Sequence, residues 1–442
     1  MVRIHKSYFR LFPIFVLLML LSFHILSPVA DFILLGNSYV YAGVVFLLLS
    51  LLLLVNVLKN GGGLSWERDS GSVSRCVELS FLVMVLFLLL HSLFVPGALV
   101  TNVRYLMVVM VSYAVYKSFN YEYYTRFMNL GVLLGMLYVV YMILVYALIK
   151  FSVIDLNAWS VDQLNYLYGE NPIVVRAEWQ DYQYYMPYYS VVIAKGGELV
   201  SFSFIDFLRL RAFFVEPTDV ALVFLPFLFY TLQRFRTGVY YRFCALMFMI
   251  VIIWAFAISG FLAFLIALAA YFCASNKILG LNGTNSAIVK YMSRIAVFAV
   301  CVITIVMPEK MLVLAGGNKL EQYIFFKEKF IDAKSYYLTP KLLGEGYALD
   351  PSVRSYGISA VVLRQGFLGV GVLFLILLPL MIASWRLLKT RFYFIGMAGI
   401  CALVLFLKTS EIVNMFFFFI YFYVVRTYLY MSGNECVRRF GI

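Results

Sequence analysis

Two arginines and two carboxylates crowd the segment Arg209-Leu-Arg-Ala-Phe-Phe-Val-Glu-Pro-Thr-Asp219, where a polar stretch meets an apolar run. Guanidinium groups clamp phosphate oxygens through paired, charge-assisted donors, and a carboxylate beside them can take the proton of a hydroxyl. Together these groups suit transfer away from a phosphorylated carrier, with Arg209 and Arg211 facing the departing phosphate and Glu216 facing the incoming hydroxyl. A purely structural explanation competes with this one. Pro217 fits the first turn of a helix, and Glu216 and Asp219 fall where the helix dipole favours negative charge. Both readings stay open for Glu216, while the cap suits Asp219 better. Arg354 and Arg364 occupy a similar place ahead of a later apolar run, around a stretch, Ser355 to Gly366, that could lie in a membrane interface as a short helix. These arginines could clamp an anion or snorkel as anchors.

Other chemistries lack their residues. The histidines are His5, His24 and His91, a tail residue and two near span ends, so the long polar stretches can build neither a histidine metal cluster nor a Ser/His hydrolase arrangement. Gly61-Gly62-Gly63 is followed by no phosphate-loop lysine and reads as a flexible turn. Aromatic residues are dense in the first polar stretch, including Trp159, Trp179, Tyr182, Tyr185 and Tyr189. Such rings can stack on sugar faces and bond to sugar hydroxyls, or they can form an interfacial belt that needs no ligand.

The elements that must position these groups follow from composition. Of 442 residues, 64% are hydrophobic and 13% charged, too little charge to solvate a globule of this size. Crossing about 30 Å of hydrocarbon takes about 17 to 25 helical residues, since in lipid a helix or a closed barrel alone satisfies every backbone amide. The expected fold is an all-α polytopic membrane protein, one integral membrane domain over residues 1–442 with about twelve spans. They are placed near 11–30, 39–58, 77–95, 100–117, 128–149, 218–233, 242–258, 260–275, 291–308, 367–386, 391–408 and 412–430. Two large loops remain, at about 150–217 and 309–366.

Orientation follows from basic residues near span ends. Groups such as Arg3 with Lys6, Arg234 with Arg236, and Arg386 with Lys389 mark one side, and the short turns on the other are nearly free of positive charge apart from Arg104 and Lys408. Both termini are expected in the cytoplasm and both long loops outside. Met1 to Ala30 also has the outline of a cleaved signal peptide, but its apolar run is long enough to remain as a first helix. Neither long loop holds a cysteine, so no outer disulfide is expected. Part of the net charge of +13 sits outside against this trend. The lysines between Lys319 and Lys341 are interleaved with Glu321, Glu328 and Asp332 and read as a solvated face, because long translocated loops escape the charge rule.

Three stretches make the chain resemble the bacterial O-antigen polymerase (Wzy-type) family and, more distantly, the O-antigen ligases. They are Arg211 to Pro217 with Ala221; Ala257-Ile-Ser-Gly-Phe-Leu-Ala-Phe264; and Leu343-Gly-Glu-Gly-Tyr347 with Ser355-Tyr356 and Gly366-Phe-Leu-Gly369. Departures from the family pattern are visible. Ligases place a histidine in the last large outer loop, where this chain has Arg354-Ser355-Tyr356, so the resemblance favours a polymerase. Gly260 follows Ser259 where an arginine is frequent, and the Arg354-to-Gly366 spacing is off by one, which weakens the assignment of Arg354.

The resemblance implies a membrane-embedded glycosyltransferase of the C class, independent of metal and needing no cofactor, at the outer face of a bacterial inner membrane. Its substrate would be an undecaprenyl-pyrophosphate-linked oligosaccharide. A flippase and a chain-length regulator of the same pathway are expected partners, and nucleic acid is not. On this reading Glu216 and Arg211 are catalytic. Arg209, Arg211, Arg354 and Arg364 bind pyrophosphate, and Trp179, Tyr185 and Tyr356 contact glycan.

Two rivals differ in class. A lipid-linked oligosaccharide flippase needs a charged central cavity and repeated halves, but these spans are poor in charge and no repeat is visible. A metal-dependent oligosaccharyl transferase needs acidic groups in its first outer loop, where Asp31 stands alone.

Overall fold

The computed structural model describes residues 72–95, 97–153, 217–255, 258–274, 358–408 and 415–440, with short pieces at 12–13, 51, 160–161, 183–185, 193–195, 199–202, 205–208, 342–344 and 346. Its helices are α1 (Ser72–Phe94), α2 (Leu99–Ser118), α3 (Tyr121–Lys150), α4 (Pro217–Gln233), α5 (Val239–Ala255), α6 (Ile258–Ala274), α7 (Ile358–Leu387), α8 (Tyr393–Lys408) and α9 (Met415–Phe440). Each of these meets one of the expected spans. The spans expected at 11–30, 39–58 and 291–308 lie almost wholly outside the described residues.

Among the described residues, four helices are long and apolar enough to cross a membrane: Ser72–Phe94, Leu99–Ser118, Tyr121–Ile149 and Val361–Leu387. Shorter apolar helices accompany them at Val220–Gln233, Val239–Ala255, Ser259–Ala274 and Tyr393–Leu407. The outward faces identify the solvent. Along α1, Val77, Met84 and Leu88 are buried at helical spacing, while Leu79, Leu82, Leu86 and Leu93 are exposed. A helix apolar on both faces fits lipid rather than water. The chain is a multi-pass helical membrane protein.

One expected boundary shifts, and the first long polar stretch carries strands. The fifth span begins at Tyr121 rather than near 128, because Asn120 caps it: its side chain accepts the amide of Tyr123, and Glu122 sits in the first turn. Those polar cap residues look like loop when hydropathy alone is read. Among the described residues of the polar stretch 150–217 are five short strands, β1 (Ser160–Val161), β2 (Gln183–Tyr185), β3 (Ile193–Lys195), β4 (Leu199–Phe202) and β5 (Ile205–Leu208). The first three form an antiparallel sheet in sequence order, and the last two a hairpin. In the hairpin Val200 pairs with Phe207 and Phe202 with Ile205, combinations of strand-favouring residues that stabilise antiparallel neighbours.

Contacts group the chain into two units. One contains residues 110–262 and 414–430 and is built on the α4–α5 hairpin, against which α3 packs. Gly135 of α3 lets a ring approach: a Cβ there would come within 3.3 Å of Phe248. Asn129 of α3 ties the hairpin, its Oδ1 accepting from Tyr230 (2.7 Å) and Tyr241 (2.9 Å), and Arg234 stacks over Tyr230 at 5.1 Å. The buried Arg426 of α9 lies 4.4 Å over the Tyr116 ring and donates to the Tyr116 carbonyl at 2.9 Å.

The other unit contains residues 70–109 and 263–413, with α1 and α8 both packed on α7. Ser80 Oγ donates to the Leu375 carbonyl at 2.9 Å, joining α1 to α7. Cys401 of α8 donates to the Ala263 carbonyl at 3.3 Å. Gly396 of α8 is closely approached by α7, for a Cβ there would lie 2.8 Å from the Ser384 carbonyl.

Candidate functional site

Within the second unit, α7 is two helices joined by a break. Gly366 has φ 68° and ψ −171°, so a helix ending at Gln365 is followed, on a new course, by the membrane-length helix that starts at Phe367. A side chain is strained at that φ, which is why glycine stands there. The short helix before the span is the one expected from the stretch 355–366. Its beginning, at Ile358, lies beyond Arg354 and Tyr356, both outside the described residues.

The break is occupied by a turn that includes Leu342, Leu343, Gly344 and Gly346. Gly344 and Gly346 also have positive φ, 75° and 79°. A Cβ on Gly344 would collide with the backbone of Arg364 and Gln365, and one on Gly366 would collide with the Leu342 carbonyl. The turn and the helix break are thus in backbone-to-backbone contact, which side chains on these glycines would prevent. Gly369, one turn further on, is hemmed in by the Gln365 side chain and by Phe87 of α1 at 3.4 Å. Gly344, Gly366 and Gly369, which the resemblance singled out as scattered motif residues, form one packed clasp.

Hydrogen bonds close it. The carbonyls of a helix's last turn have no partner within that helix. The Arg364 carbonyl accepts instead from the Gly346 amide (3.1 Å) and from His91 Nε2 (3.1 Å). His91 Nε2 also lies 2.9 Å from the Leu343 carbonyl. Carbonyl oxygens can only accept, so the ring proton is on Nε2, and Nδ1 accepts from Asn102 Nδ2 at 2.8 Å. Asn102 donates in addition to Ser92 Oγ at 3.1 Å. His91 and Asn102 are fully buried, at 0% and 1% exposure, so these bonds form where water is scarce.

Arg364 is half-buried, and its backbone is held at the break from two sides. Arg364 lies in the last turn of the short first helix, where a cation suits the negative end of that helix's dipole. Of the other expected site residues, Arg209, Arg211, Glu216, Arg354, Tyr356 and Trp179 lie outside the described residues. Tyr185 ends β2, paired with Ser160 on one side and Ile193 on the other. Glu216 immediately precedes α4, whose first residue is Pro217, the position at which that proline was expected.

Sequence reasoning passed over His91 and Asn102. A signal existed: a histidine, a serine and an asparagine gather at the facing ends of two apolar helices, on either side of Pro96-Gly97. Buried polar residues need partners. Comparison of the chain with protein-family models, with curated proteins and with solved structures gives no match.

Proposed function

We propose that the chain is a polymerase of a bacterial surface polysaccharide, working at the outer face of the inner membrane with about twelve spans, both termini inside, and the stretches 150–217 and 309–366 outside. The observation that carries the reading is the clasp: the Leu343–Gly346 and Gly366–Gly369 motif pieces that resemble the polymerase family pack together and fix the backbone of Arg364. In the proposed reaction a hydroxyl of the next lipid-linked unit attacks the anomeric carbon of the growing glycan. A new glycosidic bond forms while the bond from that carbon to the pyrophosphate oxygen breaks, and the electron pair leaves with the undecaprenyl pyrophosphate. Glu216 takes the hydroxyl proton, and Arg209, Arg211, Arg354 and Arg364 balance the charge on the leaving pyrophosphate. Trp179, Tyr185 and Tyr356 guide the glycan.

A ligase is the weaker reading. The histidine that meets the last outer loop, His91, has both ring nitrogens engaged, by two backbone carbonyls and by Asn102. The test is a purified assay with a chelator present and an undecaprenyl-pyrophosphate-linked repeat unit as the sole sugar donor. A ladder spaced by one repeat unit is expected. No ladder from well-folded protein would overturn the polymerase, and a ladder abolished by the chelator would overturn the metal-free mechanism. Single units trapped inside the membrane of a deletion strain would indicate a flippase instead.

A further inference from the structure

We propose that His91 is a positioning residue for Arg364, acting through the backbone, with Asn102 setting its tautomer; this rests on the reading of Arg364 as a pyrophosphate-binding residue. Arg364 stands at the end of the short first helix of α7, where its carbonyl has left the helical ladder. Two donors from elsewhere in the chain capture that carbonyl, the Gly346 amide and His91 Nε2–H, and the same imidazole proton is shared with Leu343. One ring therefore ties α1, the Leu342–Gly346 turn and the break in α7. The amide of Asn102 faces Nδ1 with a hydrogen, so the ring is held with its proton toward the carbonyls. With the opposite tautomer a nitrogen lone pair would face two oxygens.

A plain capping role predicts a general loss of stability, whereas positioning predicts a loss that depends on Arg364. The full-length protein in nanodiscs is supplied with undecaprenyl-pyrophosphate-linked repeat unit, and the rate of ladder formation is compared for His91→Phe, Arg364→Ala, the double variant and His91→Gln. His91→Phe, which keeps a flat ring, somewhat larger, and removes the donor, is expected to slow the reaction about a hundredfold, the cost of displacing a group by about 1 Å. The double variant is expected to be no slower than Arg364→Ala within about a factor of two, because the two changes share one effect. His91→Gln, whose amide can again donate to a carbonyl, is expected to recover most of the rate. A double variant slowed by the product of the single effects, or a His91→Phe protein as fast as wild type, overturns the proposal.

Hydrogen exchange of the peptide spanning residues 342–347 gives a readout that needs no activity. His91→Phe should speed exchange at the Gly346 amide, and His91→Gln should restore protection. Unchanged exchange overturns the proposal. If the wild-type protein makes no polymer, the polymerase reading fails, and the exchange result still decides whether His91 holds the turn against Arg364. Should His91→Phe not accumulate, Asn102→Leu keeps the ring and removes the donor that orients it, and the same outcomes apply.

Discussion

Arg211 and Glu216 share the segment leading into α4, and the roles given to them differ in kind. A guanidinium aimed at a departing pyrophosphate acts only as charge develops, so its removal should strike turnover rather than folding. Arg211→Ala is expected to reduce polymer about 10²- to 10³-fold, equivalent to about 2.7 to 4 kcal/mol, with the protein still inserted at normal abundance. Near-normal chain lengths on a gel of surface polysaccharide would contradict that. For Glu216 the two explanations separate cleanly. Glu216→Gln removes the base but retains an oxygen at the helix start, so it should abolish turnover in the purified assay while leaving thermal stability within about 1 kcal/mol. Full activity would leave Glu216 as a helix cap and no more.

At the scale of the element, the break in α7 is a backbone feature, and glycine chemistry decides it. Gly366→Ala places a methyl group against the Leu342 carbonyl at a φ that side chains resist, and Gly344→Ala does the same against Gln365. A strained φ of this kind costs about 1 to 3 kcal/mol before any collision is counted. Both variants should therefore lower the temperature at which detergent-solubilised protein aggregates. Gly371, in the helix beyond the break, has nothing within 4 Å of its absent Cβ, and Gly371→Ala is expected to be neutral or slightly stabilising. Equal behaviour of all three in a thermal shift measurement would mean that the clasp is not tight. Hydropathy located α7 because Phe367 to Leu387 is a long apolar run. It could not reveal that a turn from another part of the sequence packs against the break between this run and the helix before it.

For the whole molecule, the distribution of charge makes a geometric claim. Arg234, Arg236 and Arg242 surround the turn between α4 and α5, and Arg386, Lys389 and Arg391 that between α7 and α8. On the proposed topology the basic turns are retained in the cytoplasm and the strands between 160 and 208 lie on the opposite side. With native cysteines replaced, Ser160→Cys should react with a membrane-impermeant maleimide in intact cells, and Thr237→Cys should react only after permeabilisation. The reverse pattern would invert the topology and move both long loops away from the proposed substrate.

The class of protein was legible in the sequence because lipid imposes a local rule: every spanning segment must satisfy its own backbone amides, so each span is visible in its own run of apolar residues. Helix starts were less legible where cap residues such as Asn120 and Glu122 are polar, and the β4–β5 hairpin was missed because four-residue strands carry too little pattern to stand out. The two arginine groups could be named from residue type and position. Which backbone groups hold Arg364 in place could not be. Leu343, Gly346, Arg364, His91 and Asn102 come from three distant parts of the chain, and hydrogen bonding between them exists only once α1, α2 and α7 have assembled. A histidine surrounded in sequence by leucines looks like a span residue. Tertiary structure alone assigns its proton, since the carbonyls it faces and the amide behind it determine which nitrogen donates.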